Sequence, residues 1–558
     1  MIDPATTLRY YRYDELTTTL QQLTATHPEL ATLTSLGQSH RGREIWLVTL
    51  SNQATGADNT KPAFLLDANN HGEEVVTSAA AVYAIAHALA SYGHDSVITE
   101  LLDTRTLYVV PRLNPDGAEI SLTSPYRTVG NGHYLPWEEQ LSGLHRADLD
   151  GDGRIAQMRI PDPNGEWKIA EHDPQLMVLR EPGELGGIYY RLLPEGTIRD
   201  WDGVTLPIMA PRHGNLNRQF PANWAPEHGE YGAGELPLNE PEAAALAHFV
   251  LAHPNIVGVH SYHSHGNVLL RPSGYRRDIE LPAEDVDLFK TIGQVGTRLT
   301  GYPVISTYED FTERRRSPRH GTFTDWAYEQ FGMLAFAPEL WDVERAVGIQ
   351  KEAFFSVRSR SEAEQQQLMA WIAQHIPEAI IAWRPFAHPQ FGCIEIGGID
   401  AMFVYRNPPE HLLADVARPI AQFSLQHAAA SPLLRVTRAQ AEAFGHGFYK
   451  ITAAIENQGY LPTYVSQRAL ETGVALWPQV TLQTGEGVEL LMGAAVQTIN
   501  HLAGRVTRRT LWDPWRQPWG ESATKLEWLV RSKADVAATL SIMVSSDRGG
   551  SHRVDVTL

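Results

Sequence analysis

The sequence predicts an α/β domain over residues 1–385, followed by a smaller β-sandwich domain over residues 386–558. Three observations carry this expectation. The chain has 558 residues, more than a single hydrophobic core supports. Strand-like and helix-like segments alternate up to Arg384-Pro385. Beyond that point helical periods mostly disappear, and short β-forming segments punctuated by Gly and Pro take over.

The elements follow in order. Asp14 to Leu30 reads as a helix. Ala63-Phe64-Leu65-Leu66 is a short apolar run with the character of a buried strand, and Asn69-Asn70 turns the chain into His71. Val75 to Ala90 carries apolar residues at helical spacing. Leu107 to Val110 is a strand stopped by Pro111. Asn239 is the expected N-cap of a helix that begins at Glu240-Pro241-Glu242. Ile256 to His260 and Met333 to Ala337 are strands, and Ser361 to Ile376 is a helix that closes the domain. In the second half, Tyr449 to Thr452, Val474 to Leu476 and Ala537 to Ile542 have strand character.

Hydrophobic residues make up 43% and charged residues 20%, as in a soluble globular protein. The net charge of −19 argues against nucleic acid as a partner. No apolar stretch is long enough to span a bilayer, so no membrane partner is expected. Cys393 is the only cysteine, which excludes an intramolecular disulfide and fits a reducing compartment. The first twelve residues lack a basic segment followed by an apolar one. The expected location is cytoplasmic, or secreted where a signal has been trimmed.

His71 and Glu74 lie three apart at a strand-to-helix junction, so both side chains reach one side of the turn. A second imidazole would complete the two-His, one-carboxylate set of a catalytic zinc with an open position. It comes from His260-Ser261-Tyr262-His263-Ser264-His265. His260 is favoured because it directly follows the apolar run Ile256 to Val259, and a strand end holds a ligand more rigidly than a loop. The rival is a site that draws on His263 and His265 together with His260.

With these residues, the chain resembles zinc carboxypeptidases of the carboxypeptidase A type, the M14 metallopeptidase family. The matching pieces are His71 and Glu74, the Asn114-Pro115-Asp116-Gly117 turn, Asn217-Arg218, Glu240-Pro241-Glu242, His260-Ser261-Tyr262, and Asp325-Trp326 leading to Glu339. Their order and rough spacing match from about residue 8 to 383. The zinc set is itself typical of that family, so ligand set and resemblance are one observation. The resemblance implies a three-layer mixed-sheet catalytic domain and leaves the C-terminal β domain outside it.

It also implies roles. His71, Glu74 and His260 hold zinc. Asn217 and Arg218 bind the free C-terminal carboxylate of a peptide, which a guanidinium grips through two parallel hydrogen bonds. Glu339, behind Ala335-Phe336-Ala337-Pro338, is the general base, its pKa raised by burial. Arg127 is the nearest candidate to stabilise the oxyanion. Thr324 takes the position that sets side-chain preference, and its neutrality disfavours strict specificity for basic residues. The basic run at 314–319 points towards acidic peptides.

Three departures stand out. Asn215 replaces the usual Asp partner of a zinc His, which removes a charge from behind the ligand. Ser317 stands where a pocket Tyr is usual, leaving Tyr308 or an arginine to fill the place. An insertion at about 128–211 lengthens the gap between the second and third ligands. Within it, Asp148, Asp150 and Asp152 alternate with Gly151 and Gly153 as in an EF-hand calcium loop, with Arg159 at the twelfth position and Asp162 or Glu166 left to complete the shell. Calcium is therefore a second, structural metal expectation.

The expected activity is zinc-dependent removal of C-terminal residues from peptides. The alternatives are an acyl-amino-acid or cell-wall peptide amidohydrolase on the same fold, and a catalytically inactive binding protein. No motif in the β domain identifies a partner for it.

Overall fold

The computed structural model describes residues 3–133, 141–205, 214–227, 230, 232–311, 318–349, 360–507, 521–533 and 538–558. An eight-stranded mixed sheet lies at its centre. Its strands run in the order Ala31–Gln38, Glu44–Leu50, Thr106–Val110, Ala63–Ala68, Ile256–Tyr262, Leu334–Glu339, Val268–Arg271 and Val304–Ser306. The strands Thr106–Val110, Ala63–Ala68, Ile256–Tyr262 and Leu334–Glu339 are parallel to one another and buried throughout. Burial on both faces explains why they appear in sequence as unbroken apolar runs rather than alternating ones.

Side-chain alternation divides the core. Phe64 and Leu66 face a layer built from the helices Tyr13–Ala25, Val75–Ser91, Ala283–Thr300 and Leu413–Ala429. Ala63 and Leu65 face the opposite layer, which contains the helices Pro241–Ala252 and Phe323–Phe331. The three-layer α/β arrangement is thus present. The first helix is shorter than its sequence pattern, ending at Ala25, because the chain enters the edge strand at Ala31. The cap of the helix Pro241–Ala252 is Glu240 rather than Asn239, whose amide instead donates to Glu240 Oε1 at 3.2 Å.

The structure moves the domain border from 385 to near 433. The hairpin Ile380–His388 and Gly392–Ile399 pairs with Gln157–Pro161 of the insertion in a six-stranded sheet. The helix Leu413–Ala429 then packs on Val75–Ser91 and Ala283–Thr300, burying Val416, Ala417, Ile420, Ala421 and Phe423. These elements complete the first domain's core.

The all-β region starts at Leu434. Two antiparallel four-stranded sheets face each other. One holds Leu434–Gly445, Phe448–Asn457, Ala523–Ser532 and Val488–Met492, and the other Val496–Thr498, Gln479–Gln483, Thr539–Ser546 and Gly550–Thr557. Val436, Ile451, Ile455, Trp528, Val480, Ile542 and Val544 fill the space between them, as in a β-sandwich. Among the described residues, no single helix is long and apolar enough to cross a membrane.

Candidate metal centre and active site

The candidate residues gather at the carboxyl ends of the parallel strands, where side chains emerge from rigid elements into loops. Ala63–Ala68 leads to His71 and Glu74, Ile256–Tyr262 to His263, and Leu334–Glu339 ends on Glu339 itself. His71 Nδ1 lies 2.8 Å from Glu74 Oε1, and His263 Nδ1 lies 3.3 Å from Glu74 Oε2. The two imidazole rings are 4.8 Å apart between centroids. His71, Glu74 and His263 therefore form a cluster able to hold one metal ion. Glu74 and His263 are buried and His71 nearly so.

His260 is not part of this cluster, and the expectation that it is the third ligand is corrected to His263. The cause is the two-residue period of the strand. Val259 faces the layer that holds Pro241–Ala252, so His260 faces the other layer. There it is fully buried against Phe64, Phe336, Phe423 and His427. Its Nδ1 meets Ser424 Oγ at 2.7 Å and its Nε2 meets His427 Nδ1 at 3.1 Å. The ligand lies three residues on, where the strand has ended.

The buried pair gives an acid sensitivity that can be measured. Burial drives the His427 pKa down to about 3, and drives His260 well down too, with the neighbouring His427 adding to that. The unfolded chain takes up these protons near pH 6.5, before the folded protein does. Stability contributed by the neutral pair is therefore complete above that pH and is lost on acidification, by up to about 1.4 kcal/mol per pH unit for each His. His427→Leu should flatten the decline in unfolding free energy between pH 6.5 and 4.5 by about one proton's worth. Denaturant unfolding across that range checks it; an unchanged slope would contradict it.

The ligands are themselves supported from behind. His263 Nε2 faces Ser261 Oγ at 3.3 Å and Asn217 Nδ2 at 3.2 Å. Ser261 Oγ donates to Asp67 Oδ2 at 3.1 Å, and Asn70 Nδ2 donates to the same oxygen. Burial pushes the Asp67 pKa up to about 7, against the pull of His263 and the hydrogen bonds from Ser261 and Asn70. Asp67, Asn70 and Ser261 are all fully buried. Such a chain orients an imidazole and fixes which nitrogen points at a metal. Sequence reasoning did not identify it. The signal was an Asp within an otherwise apolar strand, a residue that seldom goes unpartnered in such a place.

Asn215 does not support His71. Its side chain accepts the Asn217 N–H at 3.0 Å and so caps the short turn Leu216–Arg218. His71 Nε2 is buried without a hydrogen-bond partner among the described residues.

Glu339 is 8% exposed, and its backbone pairs with those of Val268 and His263. Burial, with the nearby Glu74 charge, pushes its pKa up to about 8 against the opposing His263. Glu74 differs. Burial opposes its charge, but the His71 and His263 contacts prevail and hold its carboxyl well below the usual range. Burial lowers the His71 pKa, whereas at His263 the Glu74 contact outweighs burial and raises it. Two carboxylates of opposite character thus share one site, one suited to binding a cation and one to accepting a proton.

Asn217 Oδ1 accepts the Phe323 N–H at 2.9 Å, tying the metal-side turn to the helix that carries Thr324. Thr324 is half-buried in that helix's first turn. Next to it, buried Asp325 accepts the Gly274 N–H through both oxygens. Arg218 Nε donates to Glu230 Oε1 at 2.7 Å and its Nη1 to the Asn217 carbonyl at 2.7 Å.

Arg127, the oxyanion candidate, is held at a helix end. Its Nη1 donates to the carbonyls of Ser121 and Ser124 at 3.0 and 2.6 Å, and its Nη2 lies 3.5 Å from Asp400. Carbonyls at the end of the helix Pro115–Thr123 lack intrahelical donors and draw in the guanidinium. The Ser317 departure, and the arginines at 314–316, fall outside the described residues.

In the insertion, the structure brings Asp148 and Asp150 together with Glu195. Asp152 instead accepts the Arg154 N–H and lies 3.4 Å from its guanidinium. Asp162 pairs with Arg191, Glu166 lies 3.9 Å from the same arginine, and Arg159 pairs with Glu395, so none of these three completes the loop. Fully buried Glu195 enters instead, accepting the N–H groups of Leu149, Asp150 and Ala156.

Comparison with known proteins adds the following. A family model described as zinc carboxypeptidase, Peptidase M14, matches residues 16–184 and 187–376. A domain of unknown function, DUF8731, matches residues 433–557, in agreement with the structural border. A zinc carboxypeptidase from Saccharothrix mutabilis subsp. capreolus is 31% identical over 115 residues, covering 21% of this chain and 26% of that protein. Carboxypeptidase A1 from Sus scrofa is 24% identical over 337 residues, covering 60% of this chain and 63% of that one. The chain thus spans less than two thirds of either relative. Among solved structures, thrombin activatable fibrinolysis inhibitor aligns over 76% of both chains with 15% identity and a TM-score of 0.44.

Proposed function

Because the chain belongs to the zinc carboxypeptidase family, we propose that it hydrolyses the C-terminal peptide bond of peptides. The observation that carries this reading is the convergence of two imidazole Nδ1 atoms on the Glu74 carboxylate, beside a buried Glu339 with a raised pKa. The donor set suits zinc: two imidazole nitrogens and one carboxylate, with at least one imidazole held from behind by hydrogen bonds. When bound, zinc would supply a Lewis acid for the scissile carbonyl and acidify a water.

The chain's own residues do the rest. His71, Glu74 and His263 hold the metal. Ser261 and Asp67 keep the His263 ring in place. Glu339 takes a proton from the attacking water and returns it to the leaving amine. Arg218, its guanidinium plane fixed by Glu230, receives the substrate's terminal carboxylate, and Asn217 lies between it and His263. Recognition of a free carboxylate restricts cleavage to chain ends. Thr324 offers a neutral pocket residue, so selection for basic side chains alone is not expected.

The test is trimming of a peptide library with free or amidated C-termini, followed by mass spectrometry. Loss of single residues from free-acid peptides only, abolished by chelation, supports the reading. Hydrolysis of acyl-amino acids or cell-wall peptides in place of ordinary peptides would move the assignment to an amidohydrolase. No turnover by fully zinc-loaded protein would leave the binding-protein reading.

Calcium at the Asp148–Asp150–Glu195 cluster is a separate proposal. Millimolar calcium should raise the Tm of the wild type by a few degrees and leave Asp148→Asn unmoved. Equal shifts, or none, would remove it.

A further inference from the structure

We propose that Asn407 is a positioning residue for the metal centre, acting from outside the 16–376 span matched by the family model. The inference rests on the zinc reading of His71, Glu74 and His263.

Glu74 occupies the N-cap position of the helix Val75–Ser91, and no side chain of its own caps that helix. A carboxylate there would ordinarily turn back to accept a backbone N–H of the first turn. Glu74 directs its carboxylate at His71 and His263 instead. Asn407 supplies the missing acceptor. Its Oδ1 accepts the Val76 N–H at 2.9 Å, and its Nδ2 donates to the Glu73 carbonyl at 2.9 Å. One carboxamide thus bridges the residues on either side of the ligand-bearing Glu74–Val75 step. The same Nδ2 also donates to the Met402 carbonyl, which braces Asn407 against its own segment. Asn407 has no solvent exposure, so these bonds do not compete with water.

The segment around it touches the other two parts of the site. Ser264, next to His263, donates its hydroxyl to the Arg406 carbonyl. Trp341, two residues after Glu339, donates Nε1 to the Val404 carbonyl at 2.7 Å. Arg406 places Nε 2.9 Å from Glu73 and Nη1 3.1 Å from His265 Nδ1. One short stretch of chain therefore holds the loops of His71–Glu74, His263 and Glu339 in register. Asn407 is its contact with the loop that gives two of the three ligands.

The experiment measures zinc affinity of the full-length protein by competition with a chromophoric chelator, for wild type, Asn407→Ala and Asn407→Asp. Asn407→Ala should bind zinc about 10- to 100-fold more weakly. Its lost turnover should return as zinc is raised, with little change in KM. Asn407→Asp keeps the acceptor for Val76 and loses the donor to Glu73, so it should fall between the two. A folded Asn407→Ala with lower Tm but wild-type zinc affinity would show a merely structural role and overturn the proposal. If Asn407→Ala fails to fold, Asn407→Asp decides: unchanged affinity overturns, weaker affinity supports. A wild type whose zinc binding does not depend on His71 and Glu74 would instead overturn the zinc reading itself, which the same titration on His71→Ala and Glu74→Ala distinguishes.

Discussion

Glu339→Gln is expected to reduce kcat by about 10²- to 10⁴-fold while zinc content stays at the wild-type level. The amide matches the carboxylate in shape and fits the same buried strand end, so the backbone pairing with Val268 and His263 should survive. What it cannot do is accept a proton. Glu339 does not belong to the cluster of His71, Glu74 and His263, which is why metal binding should not follow activity. Metal analysis of the dialysed variant beside steady-state kinetics makes the separation visible. A variant retaining more than about a tenth of wild-type turnover would remove Glu339 from the role of base. One that loses zinc would make it a ligand instead.

The second large effect is a contrast between two histidines three residues apart. His263→Ala should abolish stoichiometric zinc binding and with it activity, because it removes one of three protein donors. His260→Leu should leave zinc content intact in the folded protein. Its cost appears as stability, since His427 Nδ1 loses its partner inside an aromatic core while Ser424 keeps Tyr262 and the Ile420 carbonyl. Stranding one buried polar group costs about 1–3 kcal/mol. Measuring zinc stoichiometry and Tm for both variants decides the matter. Zinc lost from His260→Leu and kept in His263→Ala would reverse the assignment made from the structure.

These two histidines also show where sequence reasoning stops. His71 and Glu74 were legible because their proximity is local: three residues at a strand-to-helix turn determine it. The third ligand depends on which residue is the last in the strand. The pairs His260-Ser261 and His263-Ser264 offer the same local pattern in two registers, and only the facing helix Leu413–Ala429 shows that His260 points into the core. That helix was itself hidden. Pro419 sits in its interior, where proline ordinarily argues against a helix, and the segment lies within a half whose sequence is otherwise rich in β-formers.

The surroundings of Arg127 are hidden for a similar reason: the helix-end carbonyls that it meets are not encoded in residue type. Glu195 and Asn407 reach their partners across long stretches of chain, the latter over 331 positions, and no spacing rule signals them. The fold class was legible because strand and helix periods are local and dense. Its border was not, because a hairpin at 380–399 looks the same in sequence whether it opens a new domain or completes the old one.

That hairpin has a consequence for how the chain comes off the ribosome. The insertion strand Gln157–Pro161 is made early and waits for Gly392–Ile399 before its sheet can close. The face of the central sheet holding Phe64, His260 and Phe336 likewise stays incompletely covered until Leu413–Ala429 emerges to join the earlier helices Val75–Ser91 and Ala283–Thr300. A nascent chain of 376 residues therefore holds every metal ligand and the base, yet exposes apolar surface and unpaired strand edges to its surroundings. Synthesis of this chain passes through a long interval in which a chaperone has something to hold, and that interval closes only when the helix beyond Asn407 is in place.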